Sequence, residues 1–186
     1  MVEPSDETLM ALVAAGDWAA FDRLVLRHQD AVWRTAYRIV ADCQAAEDLA
    51  QDAFLRIFEA ADRYRPEAAF RTYLYRVLVR LCLDYRRKGR PMPAEAALLA
   101  TDEASRPDQR LVEGEREAIV QQAVARLPAR QRAAIVLKYN EGLAVREIAE
   151  AMQLSVKAVE RLLARGRATL ERRLGRLLDA SEETTG

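Results

Sequence analysis

The sequence has few of the residues that form cross-links and metal sites. It contains two cysteines, Cys43 and Cys82, and a single histidine, His28. Two cysteines are too few for a disulfide scaffold, and one histidine leaves no cluster of metal ligands at a regular spacing. We therefore expect two buried free thiols, a histidine packed along a helix, and neither a metal ion nor another cofactor.

Long apolar stretches are also missing. No run approaches the roughly 20 apolar residues that a helix needs to cross a bilayer. The acidic N-terminal segment MVEPSDE lacks the basic start of a secretory signal peptide. We find no phosphate-binding glycine loop, no catalytic triad and no ligand set for a metal. The sequence thus predicts a cytoplasmic protein that is not an enzyme.

Charge is balanced over the whole chain but is unevenly distributed. The formal net charge is zero, yet residues 1–62 carry a net −7 and residues 63–90 a net +7. Residues 91–120 carry a net −4, and residues 121–186 a net +4. Two basic blocks separated by acidic ones indicate two contacts with a polyanion, together with surfaces that meet a different partner.

The segment from Ala144 to Arg176 has the length of a helix-turn-helix and is interrupted where the turn would lie. Apolar residues recur at helical spacing on both sides of the interruption Gln153-Leu154-Ser155. Ser155 is a natural N-cap for the second helix, because its hydroxyl can accept from a backbone N–H two or three residues on. A glycine is common in such turns. Gln153 therefore either avoids a positive φ or tolerates it at a cost of about 1 kcal/mol.

The second of these helices is strongly basic. From Ser155 to Arg176 there are seven basic and two acidic side chains. In a helix-turn-helix the second helix lies in the major groove of DNA, where arginine can bind guanine or a phosphate through two hydrogen bonds. The alternative is an ordinary solvated amphipathic helix. The candidate DNA contacts are Ser155, Lys157, Glu160, Arg161 and Arg165.

The N-terminal half begins with three predicted helices, for which Ser5, Asp17 and Asp42 are the candidate N-caps. The third, from Gln44 to about Ala61, has an acidic face. This face is either simply solvated or a docking surface for a basic partner, and the residue pattern leaves both open. Catalysis is not indicated, because nothing apolar surrounds the carboxylates to raise a pKa.

Aromatic and arginine residues are concentrated between Tyr64 and Lys88. Pro66 places a loop over residues 63–70, and a helix is predicted from about Ala69 to Lys88. Aromatic rings interleaved with arginine suit single-stranded nucleic acid, since unpaired bases stack on the rings and the cations meet the phosphates. The alternative is that the rings pack a helical core, and one or two of them must do so.

Three stretches in this order resemble the extracytoplasmic-function group of bacterial sigma factors, a part of the sigma-70 family. They are AEDLAQDAFLRIFE, FRTYLYRVLVRLCLDYRR and LPARQRAAIVLKYNEGLAVREIAEAMQLSVKAVERLLARGRATL. The resemblance extends from about Asp6 to Leu178. It implies an all-α protein with two small helical domains joined by a flexible linker. The expected bounds are 6–90 for the first domain, 91–110 for the linker and 111–178 for the second, a four-helix unit with the helix-turn-helix.

The resemblance also implies a function and the residues that perform it. The chain would be a non-enzymatic subunit that directs core RNA polymerase to promoters and assists promoter opening, and an anti-sigma factor would regulate it. The second domain would read the duplex −35 element through the candidate contacts named above. Contacts with the single-stranded −10 element would come from Tyr64, Phe70, Tyr73, Arg76, Arg80 and Arg87. Contacts with core polymerase would come from Asp48, Gln51, Asp52 and Arg56.

Two residues depart from the pattern of the family. Tyr73 stands where relatives often have tryptophan, which preserves stacking. Arg80 stands where many have an asparagine associated with base readout, so the preferred −10 sequence is open. The competing hypothesis is an autonomous helix-turn-helix regulator with an N-terminal helical sensory domain. Such a regulator gains little from a surface for single-stranded DNA, and it usually dimerises to read two half-sites.

Overall fold

The computed structural model describes residues 3–65, 69–88 and 119–183, with side chains described as far as residue 175. Every regular element within these ranges is helical. The helices are α1 (Asp6–Ala14), α2 (Trp18–Val40), α3 (Cys43–Glu59), a short 3₁₀ turn (Ala61–Arg63), α4 (Phe70–Arg87), α5 (119–125), α6 (Ala129–Tyr139), α7 (Val145–Met152) and α8 (Val156–Glu183). The predicted linker 91–110 lies outside the described residues.

Side-chain caps set where the first three helices begin. The hydroxyl of Ser5 accepts from the backbone N–H of Thr8, and the carboxylates of Asp17 and Asp42 accept from N–H groups three residues on, at 3.1 and 3.0 Å. Each bond satisfies a donor that the helix itself leaves without a partner. The predicted N-caps are confirmed at all three helices.

The first group of helices, α1 to α4, packs around buried aliphatic side chains. α2 lies against both α3 and α4, and α1 crosses α2. The fully buried residues of this first group include Leu24, Ile39, Ile57, Leu74 and Leu78. None of the helices described has the length and apolar character needed to cross a membrane.

Polar contacts join α1 to the other helices of the first group. His28 Nε2 lies 2.8 Å from a carboxylate oxygen of Asp6, and the imidazole ring lies 5.5 Å from the ring of Phe70. The carboxylate of Glu7 accepts from the backbone N–H of Phe70 at 3.0 Å, which lowers the pKa of Glu7. The prediction of a packed histidine is confirmed.

The two cysteines differ in exposure. Cys82 is fully buried, and its burial raises the pKa of the thiol. Cys43 is exposed, so the prediction of two buried thiols is wrong for this residue. The physical reason is its position as the first residue of α3, whose buried side begins at Ala45 and Ala46.

The second group, α5 to α8, is built on close contact between α6 and α8. Gly166 of α8 faces Ile135 of α6, and a Cβ at Gly166 would lie 2.8 Å from Cγ1 of Ile135. Because glycine has no side chain, the two helices can approach closely at this point. α7 packs on both α6 and α8.

Candidate nucleic-acid interface

The helix-turn-helix consists of α7, a three-residue turn and α8. Gln153 follows α7 and adopts a left-handed conformation, with φ 53° and ψ 47°. The backbone N–H of Leu154 then donates to the carbonyl of Ala149 at 2.9 Å, and the hydroxyl of Ser155 accepts from the N–H of Ala158 at 3.2 Å. Of the two alternatives for Gln153, the structure shows the one with positive φ. Ser155 is confirmed as the N-cap of α8.

The N-terminal half of α8 has one buried and one exposed face. Val159 and Leu163 pack into the core. The predicted DNA contacts Ser155, Lys157, Glu160, Arg161 and Arg165 are all exposed. The Nε–H of Arg161 donates to the carbonyl of Lys157 at 3.2 Å, which lays this side chain along its own helix. A basic, exposed first half of a second helix fits the major groove of DNA.

A second candidate surface lies where α4 begins. The rings of Tyr64 and Tyr73 have centroids 5.3 Å apart, and the guanidinium carbon of Arg76 lies 5.3 Å from the centroid of Tyr73. The Tyr64 hydroxyl is buried and has no hydrogen-bond partner within the described ranges. Burial raises the pKa of both phenols, so both remain neutral donors near neutral pH.

The remaining predicted contacts with single-stranded DNA do not all lie on this surface. Arg80 and Arg87 are exposed, and Arg87 forms an ion pair with Asp84 at 3.2 Å. Phe70 is fully buried, with its ring edge-on to Tyr64 at 6.3 Å. The expectation that Phe70 offers its face to a base is therefore corrected. Phe70 is the first residue of α4, and its buried ring packs against the ring of Tyr64.

The acidic face of α3 is the third candidate surface. Asp48, Gln51 and Arg56 are exposed, and the side chain of Asp52 is 41% exposed. Arg56 donates to both carboxylate oxygens of Asp52, at 2.8 and 3.1 Å, and these hydrogen bonds raise the pKa of Arg56. The four predicted core contacts thus lie on one face of α3, with Asp52 and Arg56 joined by two hydrogen bonds.

Family models match both halves of the chain. "Sigma-70 region 2" matches residues 24–91, and "Sigma-70, region 4" matches residues 117–170. The RNA polymerase sigma-H factor of Pseudomonas aeruginosa is 31% identical over 189 residues, covering 96% of this chain and 98% of that protein. The chain belongs to the sigma-70 family, in its extracytoplasmic-function group.

Further comparisons agree on the family and the fold of this sigma factor. The "ECF RNA polymerase sigma factor SigE" of Mycolicibacterium smegmatis is 36% identical over 91% of this chain and 69% of that protein. The solved structure of CnrH in complex with the cytosolic domain of CnrY is 31% identical. It has a TM-score of 0.68 and covers 95% of this chain and 99% of that chain. The prediction of an all-helical, two-domain sigma factor is confirmed.

The structure also reveals a polar cluster that the sequence did not predict. Glu141, in the turn after α6, accepts a hydrogen bond from Thr35 of α2 at 2.6 Å and another from the Tyr75 hydroxyl of α4. Arg71 of α4 donates to its backbone carbonyl. The Glu141 side chain is only 8% exposed. This cluster connects the two halves of the sigma factor, α1 to α4 and α5 to α8. Its members Thr35 and Glu141 are 106 residues apart in sequence.

Arg132 forms a second connection between the halves. It lies on α6, is 1% exposed, and donates to the carbonyl of Ile39 at the C-terminal end of α2 at 2.8 Å. Its Nε–H has no acceptor in the part of the chain that the structure describes. Burial, together with the nearby charge of Arg86, lowers the pKa of Arg132 to about 10. No periodicity distinguishes Arg132 from the exposed arginines around it, so neither connection could be predicted from the sequence.

Proposed function

We propose that this sigma factor engages promoter DNA and core RNA polymerase through three surfaces and performs no catalysis of its own. The observation that carries the proposal is the helix-turn-helix, in which an N-capped α8 exposes the basic first half of a recognition helix. It acts in the cytoplasm, where its polymerase partner transcribes.

The −35 element is read in duplex form by the exposed face of α8. Arg161 and Arg165 are four residues apart, so one turn of helix places both on the same side, toward one stretch of major groove. Lys157 adds a phosphate contact, and Glu160 is placed to accept from a cytosine amino group. Each lost base contact is expected to cost about 1–3 kcal/mol.

The −10 element is held as single-stranded DNA around Tyr64 and Tyr73. A base leaving the duplex loses a few kcal/mol of stacking, and aromatic rings return about 1–3 kcal/mol per base. Arg76 already covers one face of Tyr73, so it has to move aside or stack together with the incoming base. The exposed arginines Arg80 and Arg87 meet the phosphates. Phe70 supports the site from the core.

Core polymerase binds the exposed face of α3 through Asp48, Gln51, Asp52 and Arg56. The hydrogen-bonded pair of Asp52 and Arg56 presents one anion beside one cation, which favours a partner surface with the opposite pattern. An anti-sigma factor regulates the protein. The similar protein CnrH was solved in complex with the cytosolic domain of CnrY, which supports a partner of this kind here.

In vitro transcription with purified core polymerase over a library of promoters tests these assignments. The wild-type protein should start transcripts only when core polymerase is present. Arg165→Ala should lower transcription roughly 5- to 100-fold from promoters that depend on the −35 element, while direct binding to core polymerase stays unchanged. Arg167→Ala is the matched control, since Arg167 is exposed on the same helix but outside the predicted set.

The α3 face is tested by measuring the binding of the sigma factor to core polymerase directly. Asp52→Arg should reduce association with core polymerase, measured by fluorescence anisotropy of the labelled sigma factor. Asp30→Arg, an exposed aspartate on α2, is the matched control. A nanomolar footprint of the isolated protein on duplex DNA, together with indifference to core polymerase, would refute the proposed function.

A further inference from the structure

The first helix, α1, touches both chain segments that carry the surface proposed for the −10 element. It packs on the short 3₁₀ turn that ends just before Tyr64, and it packs on α4, which carries Tyr73. The rings of these two tyrosines have centroids 5.3 Å apart, and we call them the ring pair. The position of α1 therefore bears on the geometry of the ring pair.

Glu7 of α1 supplies the cap that α4 lacks in its own sequence. The residue before α4 is Ala69, which has no side-chain group that could accept from the first N–H groups of the helix. The carboxylate of Glu7 accepts from one of these, the N–H of Phe70, at 3.0 Å. This bond satisfies a donor that α4 leaves without a partner, and a negative charge is favourable at a helix N-terminus.

The ring pair depends on where α4 begins. The ring of Phe70 packs edge-on to that of Tyr64 at 6.3 Å, and the carbonyl of Ala69 accepts from the N–H of Tyr73 at 3.3 Å. A shift of the first turn of α4 would therefore move both rings relative to each other. Burial, and after it the charge of Glu7, raise the pKa of Tyr64, so the carboxylate lies near that phenol as well.

The two acidic residues in the first turn of α1 have different partners. Asp6 forms an ion pair with Arg27 of α2, and its other carboxylate oxygen lies 2.8 Å from Nε2 of His28 on the same helix. Glu7 instead contacts the start of α4. Asp6 thus fastens the end of α1 to α2, and the fastened end presents Glu7 to α4.

We propose that Glu7 is a positioning residue for capture of the −10 strand: by accepting from the N–H of Phe70, it holds the first turn of α4 where the ring pair forms. This inference rests on the proposed function and concerns the −10 strand alone. A site that is correctly arranged only part of the time loses affinity in proportion to that fraction. Removing the carboxylate should therefore weaken binding of the −10 strand, while the −35 duplex and core polymerase bind as before.

Binding to DNA is measured on the holoenzyme, which is core polymerase with the sigma factor bound. Two labelled probes come from a promoter recovered in the transcription library: its single-stranded non-template −10 element and its duplex −35 element. Glu7→Ala should weaken binding of the single strand about tenfold, as expected for losing one charge-assisted hydrogen bond, and leave the duplex unchanged. Glu7→Gln keeps an oxygen that can accept from Phe70, so it should recover part of the loss. Glu3→Gln, an exposed acid just before α1, is the matched control.

A second variant separates positioning from a loss of stability. Val13 is buried near the other end of α1, so Val13→Ala weakens the packing of this helix without removing the bond between Glu7 and Phe70. Urea denaturation gives the free energy of unfolding of each variant. Val13→Ala should lower this free energy and leave the affinity for the single strand unchanged. If it weakens binding of the single strand as much as Glu7→Ala does, the inference is overturned.

The cap itself is tested on the free protein by amide hydrogen exchange, followed by nuclear magnetic resonance. The N–H of Phe70 should exchange about tenfold faster in Glu7→Ala than in the wild type, and at the wild-type rate in Glu3→Gln. An unchanged rate in Glu7→Ala overturns the inference, as does a Glu7→Ala holoenzyme that binds the single strand as tightly as the wild type. A wild-type holoenzyme that binds neither probe contradicts the proposed function instead.

Discussion

The close approach of α6 and α8 at Gly166 leads to a quantitative prediction about the placement of the recognition helix. Replacing Gly166 by alanine adds one methyl group, which would lie 2.8 Å from Cγ1 and 3.1 Å from Cδ1 of Ile135. Carbon atoms in favourable contact are about 3.5–4.0 Å apart. Ile135 is buried, so it cannot turn away into solvent, and α8 must shift by several tenths of an ångström.

Two opposed effects determine the size of the change. Alanine favours a helix over glycine by about 1 kcal/mol, while forcing a methyl group into a packed core costs about 1–3 kcal/mol. Gly175 lies in the same helix, and a Cβ there would have no atom within 4 Å. Gly175→Ala therefore measures the gain in helix propensity alone, and its difference from Gly166→Ala isolates the steric cost.

We expect Gly166→Ala to be less stable than Gly175→Ala by about 1–3 kcal/mol. Urea denaturation, monitored by circular dichroism, measures the free energy of unfolding of both variants. The two values can be compared because both substitutions lie in the same helix. In the Gly166→Ala background, Ile135→Ala should cost less than it does in the wild type, giving a coupling of about 1 kcal/mol. Equal stability of the two glycine variants, within about 0.5 kcal/mol, would refute the reasoning about close approach.

Three further predictions concern single positions. Gln153→Gly should stabilise the protein by about 1 kcal/mol in urea denaturation, because Gln153 has a positive φ. In the native protein Ellman's reagent should titrate Cys43 alone, with Cys82 reacting only after unfolding. The lowered pKa of Arg132 means that folding disfavours its charged form at all pH values below about 10. Arg132→Met removes this penalty together with the hydrogen bonds to Ile39 and Leu127, so in urea denaturation the stability of the variant relative to the wild type should fall as the pH rises through about 10.

The parts of the fold that depend on neighbouring residues were predictable from the sequence. Ser5, Asp17, Asp42 and Ser155 act on backbone groups three residues away, so a capping residue before an apolar stripe is enough to place each helix start. The exposed faces of α3 and α8 followed from helical periodicity in the same way.

Errors arose where one helix crosses another. Periodicity shows which stripe of a helix is apolar, but it does not show where along that stripe a neighbouring helix ends. Cys43 was predicted to be buried and is exposed, because it lies at the first residue of α3. Phe70 was predicted to contact DNA and is fully buried, because α1 and the Tyr64 ring cover the start of α4.

The contact between the halves was beyond reach from the sequence for a stronger reason. Glu141 lies in a turn beside Gly142, where an acidic residue is normally solvated, and nothing local marks it as buried. Its partner Thr35 is 106 residues away. Arg132 likewise sits among several arginines of similar spacing, and only its position opposite the end of α2 makes it special. The two residues contribute to this contact in opposite directions, since the Glu141 carboxylate accepts hydrogen bonds from two side chains, while one N–H of the buried Arg132 guanidinium has no acceptor among the described residues.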